Sequence, residues 1–164
     1  MIRVTVNGCF DGLHPGHLFM LGYARALGNE LIVGINSDQY IRQHKGTVMF
    51  NEQERKLALE KLGFVSRVVI FREQDPVKFI LAVRPDVHCT GQEYENGKCV
   101  EASWCELYGI KLVYVPRVGD WSSTKERWNY ETQSKLQEVR VGEWLSQPLC
   151  VGDGQPKGPC DACG

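Results

Sequence analysis

Apolar residues along this chain fall into short, nearly continuous runs separated by stretches of helical spacing. The segments "IRVTV" (Ile2 to Val6), "ELIVGIN" (Glu30 to Asn36), "RVVIF" (Arg67 to Phe71), "DVHCT" (Asp86 to Thr90) and "IKLVYV" (Ile110 to Val115) each read as a strand. Between the first two, Met20, Tyr23, Ala24 and Leu27 recur at helical intervals over His17 to Leu27, and Gly28 stands where a helix would end. A second helix is predicted from about Glu52 to Leu62, with Asn51 as its cap. Pro76 opens a short third, Ala102 to Tyr108 reads as a fourth, and the residues through Lys45 and Gly46 read as a polar loop. Apolar strands alternating with helices predict an α/β fold, doubly wound and Rossmann-like, with five parallel strands and helices on both faces.

Composition narrows the function. With 164 residues and 43% hydrophobic content the chain can build one substantial core. The composition changes after about Trp144, which divides a domain over 1–145 from a tail over 146–164 rich in glycine, proline and cysteine. Nineteen basic residues against 20 acidic ones give a net charge of -1, so nothing argues for nucleic acid or an anionic membrane, and an anionic partner must meet a local site. No apolar run approaches the roughly 20 residues of a membrane span, and the opening run is short for a signal peptide. A soluble, cytoplasmic protein is therefore expected.

The seven cysteines are odd in number and scattered, which fits reduced thiols better than a disulfide framework. Cys9 and Cys89 read as small buried side chains. In the tail, Cys160 and Cys163 form a C-x-x-C pair with Cys150 upstream. A zinc site would need a fourth ligand that the tail does not contain, so thiols on a mobile tail are favoured over zinc.

The stretch "NGCFDGLHPGHL" (Asn7 to Leu18) carries the most specific chemistry. It joins the first strand to the first helix, where an open parallel sheet binds anions on backbone amides and a helix N-terminus. Gly8 and Gly12 let the backbone approach a bulky ligand, Gly16 leaves the first helical turn uncovered, and Pro15 suits helix entry. His14 and His17 lie three residues apart, so both rings can serve one site and donate N–H groups to phosphate oxygen. Paired histidines also ligate zinc, but Asp11 is the only third candidate ligand on the segment.

"NGCFDGLHPGHLFMLGYARALGNELIVGINSD", followed by Lys45-Gly46, resembles the cytidylyltransferase-like branch of the H-x-G-H nucleotidyltransferases. The nearest likenesses are the adenylyltransferase domain of bifunctional heptose-phosphate enzymes and glycerol-3-phosphate cytidylyltransferase. "EQDPVKFILAVRPDVHCTGQEY" resembles the stretch leading to that family's base-binding loop, and "VPRVGDWSSTKE" its closing signature; the likeness extends to about Arg127.

The resemblance implies a nucleotidyltransferase that joins the α-phosphate of ATP or CTP to a phosphorylated sugar or polyol and releases pyrophosphate. ATP with a sugar 1-phosphate is the first expectation and CTP with glycerol 3-phosphate the alternative. A non-catalytic nucleotide-binding module is the alternative of another class. By the same resemblance His14 and His17 would stabilise the α-phosphate, and the backbone of Cys9, Phe10 and Asp11, with Gly16, would lie at the nucleotide. Lys45 would reach the phosphates and the acceptor, Arg55 would line the acceptor side, and Gly91, Gln92 and Tyr94 would border the base. The cluster Ser122, Ser123 and Thr124 would hold the β- and γ-phosphates, and Arg117, which matches the arginine of that signature in the glycerol enzyme, would belong to the nucleotide-binding residues. Magnesium is expected with the triphosphate, held by phosphate oxygens and water, with Asp11 a weak protein candidate. For self-association the resemblance admits a homodimer. Gln92 and Glu93 stand where relatives commonly carry glycine or aspartate, so the base is not fixed by likeness.

Overall fold

A computed structural model describes residues 1–97 and 99–117. Five strands, β1 (Arg3–Gly8), β2 (Glu30–Asn36), β3 (Arg67–Phe71), β4 (Val87–Gly91) and β5 (Lys111–Val115), form one sheet in the order β3-β2-β1-β4-β5. All four pairings are parallel. The helices are α1 (Pro15–Ala26), α2 (Asp38–Lys45), α3 (Glu52–Glu60), α4 (Val77–Val83) and α5 (Ala102–Leu107), with a 3₁₀ turn at Gln92–Tyr94.

Side-chain alternation along the strands builds two cores. Val4, Val6, Leu31, Val33 and Ile35 pack with Leu21 and Ala24 of α1 and Leu59 of α3. Ile32 points the other way, into a cluster with Phe79, Ile80 and Val83 of α4 and Cys105 of α5. Both faces of the sheet are thus covered, as its apolar strands require. Thr5 and His88 are polar residues of this interior: Thr5 Oγ1 lies 2.8 Å from His88 Nδ1, while His88 Nε2 has no hydrogen-bond partner among the described residues and lies 3.8 Å from Glu101 Oε1.

Two local expectations are corrected. The segment read as a polar loop before Lys45 is a helix, α2, capped by Ser37, whose hydroxyl accepts from the Tyr40 amide at 3.3 Å. Ile41 is its one buried residue, so its sequence carries little apolar periodicity. The first helix begins at Pro15, in line with the reading of that proline as the helix entry, with His14 as its N-cap. Gly28 does not end that helix in a left-handed turn; Leu27 caps it, and Gly28 instead lets the chain cross β1 closely. A Cβ there would lie 2.6 Å from the Ile2 carbonyl oxygen and from Val4 Cγ2.

This strand order sets the position of the site. The chain leaves β1 toward β2 and β3, and later leaves β4 toward β5, so the crevice beyond the carboxyl ends of β1 and β4 is the topological switch point.

Candidate active site

A cleft of about 730 Å³ opens at that switch point. Asn7 and Gly8 of β1, Thr90 and Gly91 of β4 and Val115 of β5 form its floor. Its size falls in the range, about 300–1,000 Å³, of small-molecule and cofactor sites.

The strand-to-helix turn is shaped by its backbone. Phe10 adopts φ 49°, a left-handed conformation uncommon for a bulky residue, and Gly12 has φ 90°. The Phe10 ring is buried, lies close over Gly8, and sits 5.0 Å from the His17 ring, so the strained turn is held by packing.

His14 and His17 cap each other. The His17 amide donates to His14 Nδ1 at 3.3 Å, and the His14 amide donates to His17 Nδ1 at 3.4 Å, a capping box made from two imidazoles. Their rings stack with centroids 3.6 Å apart and planes 21° from parallel. Because each Nδ1 accepts an N–H, the ring proton of each neutral imidazole resides on Nε2. Burial, then the neighbouring His14, then Lys45 lower the His17 pKa to about 3 against a weak opposing pull from the Gly12 carbonyl. At neutral pH His17 is therefore an uncharged N–H donor.

Lys45, the last residue of α2, also lines the cleft, and its effect on His17 places its charge near the histidine pair. Cys9, Phe10, Gly16, Gly91, Tyr94 and Arg117 line the same cleft, so the structure brings together most of the residues singled out in the sequence. Cys9 is only half-buried, contrary to its reading as a core side chain. Gln92 is exposed on the 3₁₀ turn and does not line the cleft. Ser122, Ser123, Thr124, Cys150, Cys160 and Cys163 lie outside the described residues.

Two assignments are corrected. Arg55 was expected on the acceptor side, and its charged helix alone suggests a surface ion pair; instead it is 2% exposed beneath the cleft. Its Nη1 donates to the carbonyls of Cys9 (2.7 Å) and Asn36 (2.9 Å), Nε donates to Phe50 (2.9 Å), and Nη2 pairs with Asp38 (2.7 Å). It fixes the ends of β1 and β2, and the carbonyls it engages are not presented to an anion. Asp11, the weak magnesium candidate, is fully buried; its carboxylate accepts from the amides of Met49 (3.0 and 3.1 Å) and Phe50 (2.9 Å). That donor set suits a loop anchor and not a metal ligand, and among the described residues no cluster of three or more His, Cys, Asp or Glu could hold a metal ion.

Asn36, Tyr40, His44, Gln74, Asp75 and Glu101 also line the cleft and were not singled out in the sequence. Glu101 is held ionised: burial alone raises its pKa, but His88 3.8 Å away, its own amide and the Cys99 thiol bring it below the usual carboxylate value. The signal for the residues on α2 was the capping serine, which marks an unexpected helix start beside the motif.

A family model described as cytidylyltransferase-like matches residues 5–139. The chain belongs to the cytidylyltransferase-like family of nucleotidyltransferases. This cytidylyltransferase-like chain is 42% identical over 124 residues to the bifunctional protein HldE of Koribacter versatilis, covering 74% of the chain and 26% of that protein. It is 41% identical over 120 residues to the bifunctional protein HldE of Hyphomonas neptunium, covering 72% of the chain and 25% of that protein. It therefore spans about a quarter of the length of these curated relatives. Among solved structures it is similar to a lipopolysaccharide core biosynthesis protein from Thermoplasma volcanium, with TM-score 0.60 and 31% identity over 74% of this chain and 99% of that one. No helix among the described residues is long and apolar enough to cross a membrane.

Proposed function

We propose that this domain transfers a nucleotidyl group from ATP to a sugar 1-phosphate of the heptose type, in the cytoplasm, releasing pyrophosphate. The observation that carries the reading is the reciprocal capping of His14 and His17, which leaves Nε2–H as the donor of each ring at the N-terminus of α1, the one on His17 resting against the Gly12 carbonyl until a phosphate oxygen replaces it. The similarity to bifunctional HldE proteins and to a lipopolysaccharide core biosynthesis protein supports a sugar acceptor over glycerol 3-phosphate with CTP.

The reaction is a direct displacement. An oxygen of the acceptor's phosphate forms a bond to the α-phosphorus while the bond from that phosphorus to the bridging oxygen breaks, and the electron pair departs with pyrophosphate. A phosphate monoester is already a nucleophile at neutral pH, so the protein's contribution is positioning and charge stabilisation. His14 and His17 donate to the α-phosphate oxygens as charge builds there. Lys45 supplies the positive charge between nucleotide and acceptor, and the amides at the start of α1 add the helix dipole. Tyr94 and Gly91 border the base, and Arg117, with the cluster Ser122 to Thr124, engages the outer phosphates. Magnesium enters as part of the triphosphate substrate, carried on its phosphate oxygens and water.

The test is a matrix of ATP, CTP, GTP and UTP against heptose 1-phosphate, other sugar 1-phosphates and glycerol 3-phosphate, scored by pyrophosphate release. Turnover confined to ATP with a sugar 1-phosphate is expected. Preference for CTP with glycerol 3-phosphate would replace the substrate assignment, and triphosphate binding without turnover of any acceptor would make the domain a binding module.

A further inference from the structure

Among the described residues, the buried side-chain polar atom left without a hydrogen-bond partner is Nε2 of His88, a residue of β4 with no exposed surface. Its Nδ1 is met by Thr5 Oγ1 at 2.8 Å, and Glu101 Oε1 faces Nε2 from 3.8 Å, about 1 Å beyond a charge-assisted hydrogen bond. Glu101 directly precedes α5 and stands on the wall of the cleft, with 8% of its side chain exposed. Its Oε2 accepts from the Cys99 thiol at 3.3 Å. Opposite an ionised carboxylate, Nε2 carries a proton, so an N–H faces Oε1. The carboxylate is therefore flanked by protein donors on two sides, and the side left open to it is the cleft.

A nearly buried carboxylate in a cleft that receives a triphosphate repels the ligand unless the ligand brings a donor to it. Phosphate oxygens only accept, so the donors of a nucleoside triphosphate are its ribose hydroxyls and the N–H groups of its base. Tyr94 lines the same cleft within reach of this charge: burial, then Glu93, then Glu101 raise its pKa. An aromatic side chain beside a held acceptor matches a flat ring with a donor on its edge. Glu93, the other carboxylate beside Tyr94, is exposed and lies over Gly91, where water meets its charge. Glu101 has no such recourse.

We infer that Glu101, held by His88 and Cys99, reads the base of the nucleotide by accepting a hydrogen bond from its exocyclic amine. In ATP that donor is N6 of adenine. Because each carboxylate oxygen already faces a protein donor, the group suits a single N–H and not the two parallel N–H groups of a guanine edge. Uracil has no amine to offer. The approach of the amine draws the carboxylate charge into a complete set of donors, His88 Nε2 included. The inference rests on the transferase reading above and adds the residue that selects its nucleotide.

The full chain is titrated calorimetrically, without acceptor, with ATP, GTP, ITP, purine riboside triphosphate and the 2′-deoxy and 3′-deoxy forms of ATP. Purine riboside triphosphate, which lacks the amine, is expected to bind about tenfold or more weakly than ATP. In Glu101→Met that ratio is expected to fall to within about twofold, whereas a merely structural role would weaken both triphosphates alike and leave the ratio unmoved. Glu101→Gln, which keeps the shape of the side chain and can turn an amide N–H to the cleft, is expected to narrow the preference for ATP over ITP about tenfold. Glu93→Gln is expected to leave both ratios within about twofold. Retained affinity for purine riboside triphosphate in each variant reports an intact fold. Equal binding of ATP and purine riboside triphosphate by the unmodified chain overturns the inference, as do ratios that survive both Glu101 substitutions, or GTP binding tighter than ATP. A Glu101-dependent loss confined to the deoxy forms also overturns it, by making the carboxylate a ribose ligand. Base selection that responds to Glu101 without pyrophosphate release on any acceptor leaves the inference standing and overturns the transferase reading alone.

Discussion

Arg55 Nη2 meets Asp38 Oδ1 at 2.7 Å, and this largely buried ion pair ties α3 to the first turn of α2 beneath the cleft. The same guanidinium binds three carbonyls, so nearly all of its donors have partners. Removing it leaves a half-buried carboxylate and three carbonyls without their donor. Arg55→Met is expected to lower the unfolding free energy by about 3–5 kcal/mol. Arg55→Lys, which cannot reproduce the forked contacts, should lose most of that amount. Urea denaturation followed by circular dichroism measures both, and a loss below about 1 kcal/mol in each would show that the contacts are dispensable.

His17→Ala removes one donor to the α-phosphate and one half of a capping box. Turnover is expected to fall about 10²- to 10³-fold. Stability should fall by about 0.5–2 kcal/mol from the lost cap. His17→Asn can still accept the His14 amide, so it should recover stability and not turnover. Steady-state pyrophosphate release and thermal melts separate the two effects.

The same histidine makes stability depend on pH in a defined direction. Its pKa is near 3 when folded, against an ordinary value of 6.5, so the unfolded chain takes up a proton that the folded chain refuses. The stabilisation it provides is complete above pH 6.5 and is lost as pH falls from there toward 3. Between pH 7 and 5 the melting temperature of His17→Asn should fall less than that of the unmodified protein. Equal slopes for the two proteins would remove the burial of His17 as the cause.

Two glycines should respond with opposite signs to the same added methyl group. Gly28→Ala drives a Cβ into the Ile2 carbonyl and Val4, and should cost about 1–3 kcal/mol. Gly22 is exposed within α1 with nothing within 4 Å of the added Cβ, and Gly22→Ala should stabilise by about 0.5–1 kcal/mol. Chemical denaturation of the pair tests both, and a stabilising Gly28→Ala would contradict the close crossing of β1.

Much of this architecture was legible in the sequence because it is written in local pattern. The five strands are apolar runs that need no partner to be recognised, and the Gly-Pro-His punctuation of the motif announces its turn. What was not legible depends on distant segments. The helix α2 turns a single isoleucine inward, so it shows almost no apolar stripe. Asp11 looks like a metal candidate until Met49 and Phe50, nearly forty residues on, bring their amides to it. Arg55 sits in a run of surface charges, and only the convergence of Cys9, Asn36 and Phe50 explains how a guanidinium can be buried there. The cleft-lining side chains of Asn36, Tyr40 and His44 were missed for the same reason, since that wall exists only once β2 and α2 flank the turn.

The burial of His17 beside His14 also fixes the protonation of one ring in the cleft. With His17 unprotonated well below neutrality, docking a nucleotide requires it neither to gain nor to release a proton. Anion capture at this ring is then insensitive to the ionisation enthalpy of the surrounding buffer, and mild acidification in the cell would leave its grip unchanged.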